Sequence, residues 1–193
     1  GVIDFGLFHM LDYVLFVGVG VYLAVSTTSR QWVKGFGIPA LYVGLGFSLM
    51  WVAFEKIVYP SWGTNILEIN ESLALGIPLD QFLIFIAVSE LVLGFLLVIG
   101  LLGRPLGLAI TLVLFTTALT FGKTEVVGHT IIHAALIVFL LEGEGSFYKT
   151  PINVHRKLGL RFAFASLNFV IVSAVMLAIY VTWSKLVFEN AAG

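Results

Sequence analysis

The sequence contains no cysteine. That excludes disulfide crosslinks, thiol–disulfide exchange, thiolate metal sites and iron–sulfur clusters. Charge is scarce as well: Asp, Glu, Lys and Arg make up 11% of the chain, where a water-soluble domain carries about 25%. The formal net charge is -1, so there is neither a basic footprint for nucleic acid nor an acidic tail. No basic stretch precedes the first apolar run, so no signal peptide is read. The chain opens on Gly1 rather than Met, so a trimmed or incomplete start is expected. What remains is apolar: 60% of the 193 residues are hydrophobic, against about 45–50% in soluble proteins. These proportions point to an integral membrane protein whose first partner is the lipid bilayer.

A membrane-spanning helix needs about 20 mainly apolar residues. Six stretches qualify: 6–27, 36–59, 79–102, 105–122, 126–142 and 162–187, the fifth being the shortest. The expected fold is therefore an all-α bundle of six transmembrane helices in a single domain, 1–193. The third and fourth stretches are joined by a tight turn, "GLLGRPLG", with Pro105 at a helix start. The second loop, "PSWGTNILEINESLALGIP", is long and acidic. Gly18, Gly20, Gly44, Gly46, Gly94 and Gly100 read as sites of close helix packing.

Lys and Arg set the orientation. With both termini outside, the inner loops hold seven of the ten basic residues: Arg30, Lys34, Arg104, Lys149, Arg156, Lys157 and Arg161. The outer side holds Lys56, Lys123 and Lys185. The plasma (inner) membrane with both termini on the outer, periplasmic side is the expectation. Tyr59, Trp62 and Trp183 then mark the outer interface and Trp32 the inner one. His155 with Arg156 and Lys157 reads as a solvated basic patch facing lipid headgroups.

Ionisable residues collect in the outer halves of these segments. His9 and Asp12 lie in the first, Glu55 and Lys56 near the end of the second, and Glu90 in the middle of the third. Lys123 ends the fourth. Glu125, His129 and His133 descend one face of the fifth, because residues four apart share a helical face. Ionisable groups within a membrane are costly and usually face the bundle interior, paired with one another. One outward-opening cavity floored by Glu90 and His133 is the inference. Bland readings accompany it. Glu55 and Lys56 can snorkel at the headgroups, and His9, Asp12, Lys123 and Glu125 can simply be wet. His129 and His133 can ligate a metal or haem, hydrogen-bond a quinone headgroup, or pair with Glu90 and Glu55 as structural glue. The H-x-x-x-H pair offers only two ligands, and Thr130 stands where a zinc protease has its glutamate.

Residues 36–145 resemble the DoxX/DoxD-like membrane proteins. "GLGFSLMWVAFEKIVYP", with Lys56 and Pro60, is similar to the family's first helix. "SELVLGFLLVIGLLGRPLGLAITLVLF", with Glu90, Gly94, Gly100 and Arg104, resembles its second and third. "HTIIHAALIVFLLEGEGSFY" resembles its fourth, ending at Gly143 and Gly145. Ser146-Phe147-Tyr148 stands where the family places an aspartate, and the segments in 1–35 and 146–193 flank the four-helix pattern. The resemblance implies a four-helix core and a link to quinone-dependent redox chemistry, commonly as a membrane partner of redox enzymes.

Three functional readings follow. In the first, the chain is a quinone-linked redox subunit, with Glu90, His129 and His133 catalytic and Glu55 and Lys56 beside them in the cofactor pocket. In the second, it is a non-catalytic accessory subunit that braces other protein subunits through its flanking helices. In the third, His129, His133 and a carboxylate hold Cu or Fe. A transporter fits less well, because no inverted repeat is visible.

Overall fold

The computed structural model describes residues 10–143, 145 and 155–191. His9, Lys149 and the Ser146–Tyr148 departure from the family pattern lie outside the described residues. Those described are mainly helical and include no strand. A 3-10 turn, Met10–Tyr13, leads into α1, Val14–Ser26. A single turn, α2, Gln31–Lys34, precedes α3, Gly37–Val58. Next come α4, Pro60–Leu67, and a 3-10 stretch, Glu68–Ala74. Then follow α5, Leu79–Val98, and α6, Gly103–Phe121. The last helices are α7, Lys123–Gly128, α8, Thr130–Glu142, and α9, Leu158–Ala191.

Four stretches are long and apolar enough to cross a membrane: Gln31–Val58, Leu79–Val98, Gly103–Thr120 and Leu158–Val187. The all-helical class and the membrane-spanning character expected from composition therefore stand. The count of six does not follow from these helices, because two expected segments are shorter as helices, Leu11–Ser26 and Thr130–Glu142. The fifth is shortened by a break. Gly122 takes a positive φ of 72° and the helix is interrupted at His129. Gly143, with φ 67°, ends it, and Arg104 caps that end by donating from Nη2 to the Leu141 carbonyl at 2.9 Å. The acidic second loop is largely helical. Pro60 starts α4 at a position where its missing N–H costs nothing.

The bundle is organised around α3, which packs most closely against α5 and α1. Its glycines explain why. A β-carbon on Gly46 would meet the Gly94 carbonyl oxygen at 2.5 Å, and one on Gly94 would meet the Gly46 oxygen at the same distance. The backbones of α3 and α5 thus touch directly, the geometry that small residues permit between membrane helices. On another face of α3, Gly44 lies against Leu15 of α1, while Gly18 of α1 faces the Ala40 carbonyl at 2.5 Å from its would-be β-carbon. Gly20 touches nothing and Gly100 takes a positive φ in a turn, so neither is a packing glycine.

Two apolar clusters fill the bundle. One joins the first half of α3 to α1, α6 and α8 through Leu41, Tyr42, Leu45, Leu106 and Phe139, with Tyr42 and Phe139 stacked at 4.0 Å. The other joins the second half of α3 to α5 and α9 through Trp51, Phe54, Phe95, Met176 and Tyr180. The helix α9 touches the bundle along this one seam, and most of its spanning stretch is exposed.

Candidate functional site

The polar residues gather between the last turns of α3 and the middle of α5. Lys56 reaches Glu90 and donates to both carboxylate oxygens, at 2.7 Å to Oε2 and 3.0 Å to Oε1. The side chains are 20% and 23% exposed. Register explains the contact. Gly46 and Gly94 mark a common level, Lys56 lies about 15 Å along α3 from it, and Glu90 lies about 6 Å along α5. The lysine stem must therefore extend back toward the middle of the bundle. It does not snorkel outward beside Glu55. Adjacent residues on a helix do not face each other, and Glu55 points to a different neighbour.

That neighbour is Tyr180 of α9. Glu55, Tyr59 and Asp12 all lie within electrostatic reach of its phenol. One carboxylate oxygen of Asp12, one of Glu55, the Tyr180 hydroxyl and the Trp51 indole nitrogen are fully buried atoms. Trp51, at 1% exposure, packs against Tyr180 with ring centres 4.8 Å apart. Tyr59 stacks on Trp62 at 4.7 Å and lies 6.4 Å from Tyr180. Trp51 and Glu55 are four apart on one face of α3, and Tyr59, the residue that follows the helix, lies beyond them near Tyr180. Sequence reasoning passed over Tyr180 and Trp51. The signal was a lone tyrosine in the apolar run of α9, four residues after Met176 on the seam that meets α3.

The histidines sit elsewhere. His129 occupies the junction of α7 and α8, and its Nδ1 lies 3.2 Å from Glu125 Oε1 and 3.1 Å from the Glu125 carbonyl. His133 lines a groove between α6 and α8 with Phe115, Ala118, Leu119, Val126 and Thr130. The structure thus brings Lys56 together with Glu90, and Glu55 together with Tyr180. It places His129 and His133 on the α6–α8 side, apart from both. Among the described residues there is no group of three His, Asp or Glu side chains able to hold a metal ion. His129 meets Glu125 and His133 meets a mainly apolar wall, so among the described residues the third ligand of the expected Cu or Fe site is not found there.

One ion pair between helices, with carboxylates beside a buried phenol nearby, is the kind of arrangement that can bind a polar group or pass protons. The fold and this cluster define a helical membrane protein with an internal polar site. No family model, curated protein or solved structure matches the chain.

Proposed function

We propose that the chain is a DoxX-like membrane subunit of a redox complex in the inner membrane, and that the Lys56–Glu90 pair with its Asp12–Glu55–Tyr180 neighbours handles protons there. The observation that carries this reading is the ion pair itself. A lysine extended inward to a carboxylate in mid-helix is a costly arrangement in lipid, and such arrangements usually serve transport of protons or binding of a polar group. A quinol oxidised at this site would release protons to Glu90 and its neighbours. Its electrons would pass to a carrier on another subunit, since such chemistry borrows its electron carrier. Asp12 in the 3-10 turn before α1, Glu55 on α3 and Glu90 on α5 supply carboxylate acceptors.

The test is quinol oxidation by the complex purified from native membranes, normalised to folded subunit. Glu90→Gln and Lys56→Met should each lower turnover about 100-fold, the loss expected when a positioned acid–base group is removed. Full turnover in both variants would overturn the reading.

A second reading is favoured by a different observation. The ion pair joins α3 and α5, the same helices that Gly46 and Gly94 already hold backbone to backbone. In a non-catalytic accessory subunit the pair would be an interhelical fastening. Replacing both partners together, Lys56→Met with Glu90→Leu, should then leave turnover of the assembled complex at its original level.

A further inference from the structure

The groove between α6 and α8 holds an imidazole in an unusual position. His133 is half-buried, and among the described residues nothing hydrogen-bonds to its ring. Its neighbour His129, one turn away, is satisfied by Glu125. Thr130, also in the groove, is satisfied by donating to the Val126 and Val127 carbonyls. The rest of the lining is Phe115, Ala118, Leu119 and Val126. His133 is thus the one polar ring in an apolar trough of about 440 Å³, a size within the roughly 300–1,000 Å³ range of small-molecule sites.

Depth narrows the occupant. The groove lies beside Phe115, which is about 5 Å from the middle of the spanning stretch Gly103–Thr120. The hydrocarbon core is about 30 Å thick, so phospholipid ester carbonyls lie near 15 Å from the middle. They do not reach His133. A polar group left unpaired in hydrocarbon is costly. A metal ion would find a single ligand. A charged ligand would find no counter-charge in the lining. A neutral imidazole carries one donor and one acceptor, suited to a carbonyl or a hydroxyl.

We propose that this groove binds a neutral, lipid-soluble molecule with a ring carbonyl or hydroxyl, entering from the bilayer with its polar head on the His133 imidazole. The site is separate from the Lys56–Glu90 cluster and does not depend on the redox reading. The test uses the purified chain in phospholipid nanodiscs, with decylubiquinone as the probe and dodecylbenzene as the control that lacks a hydrogen-bonding group. Ligand-observed saturation-transfer NMR reads binding. Decylubiquinone should bind saturably, at least tenfold more weakly to His133→Ala and to Ala118→Trp, which fills the trough while keeping the imidazole. Dodecylbenzene should give no saturable signal. Gly20→Ala, on α1 with nothing within 4 Å of its would-be β-carbon, should bind the probe like the parent chain. Equal affinity in His133→Ala and Ala118→Trp, saturable binding of dodecylbenzene, or no saturable binding of the quinone would each overturn the proposal.

Discussion

At the scale of single residues, Lys56 and Glu90 carry opposite charges that lipid tolerates only together. Removing one partner strands the other, whereas removing both leaves an apolar contact. Lys56→Ala should therefore destabilise the protein by about 3 kcal/mol, the low end for breaking a buried pair. The double variant Lys56→Met/Glu90→Leu should fall within about 1 kcal/mol of the parent, as apolar replacements of buried pairs do. Unfolding in mixed micelles titrated with denaturing detergent measures both. A single variant as stable as the double would mean that the pair is solvated and is not an internal fastening. Tyr180 belongs to the same scale. It is fully buried between Trp51 and the Glu55–Asp12 carboxylates, so its hydroxyl is part of the polar cluster as well as of the core.

Among the elements, the α3–α5 contact sets the register on which the site depends. A methyl group on Gly46 or Gly94 would drive into a carbonyl oxygen at 2.5 Å, and that oxygen belongs to backbone that cannot swing aside. Gly46→Ala and Gly94→Ala should each cost about 1–3 kcal/mol, the range for overpacking. Gly20→Ala, with nothing within 4 Å, should be neutral or slightly stabilising, because alanine is the better helix former. Thermal unfolding of the three variants in one detergent decides it, and equal midpoints would argue against the backbone contact. This register is also why the sequence disclosed the site only in part. The apolar runs 36–59 and 79–102 were legible as helices, and they appear as Gly37–Val58 and Leu79–Val98. The collection of Glu55, Lys56 and Glu90 between the outer ends and the middle of these two segments was legible too. Which of them meet was not, because partner choice follows from how far one helix slides along another. Glycines announce close packing without saying which glycine faces which. The second loop was misread for a different reason. Its acidic, polar composition masked a helix start at Pro60, a signal that was present in the sequence. The break at His129 had a weaker one, Gly128 just before it.

For the molecule as a whole, α7 with α8 decides how many times the chain crosses the bilayer. Neither helix alone is long enough. The backbone hydrogen bonds nevertheless run through their junction, from Val126 to Gly122, His129 to Glu125 and His133 to His129. The two together rise about 29 Å, close to the thickness of a hydrocarbon core of about 30 Å. They lie along α6, a helix long enough to span. A methyl group on Gly107 near its start would touch Phe139 at 3.4 Å, and Ala118 near its end shares the groove with Thr130. A rod that accompanies a spanning helix over its length should itself span. If it does, the loop that carries Arg156 lies on the side opposite to the α6–α7 turn. If it does not, both lie on the same side. The absence of cysteine makes the measurement direct. Single reporters, Lys123→Cys and Arg156→Cys, are placed in sealed, oriented membranes and labelled with an impermeant maleimide. Labelling of Lys123→Cys from outside only, and of Arg156→Cys only after the membranes are opened, is the expected result. It would place the basic cluster Arg156, Lys157 and Arg161 on the cytoplasmic face, as their charge favours. Labelling of both from one side would make α7 and α8 a re-entrant segment. His133 would then lie at the floor of an outward-facing cleft and not in a groove open to lipid.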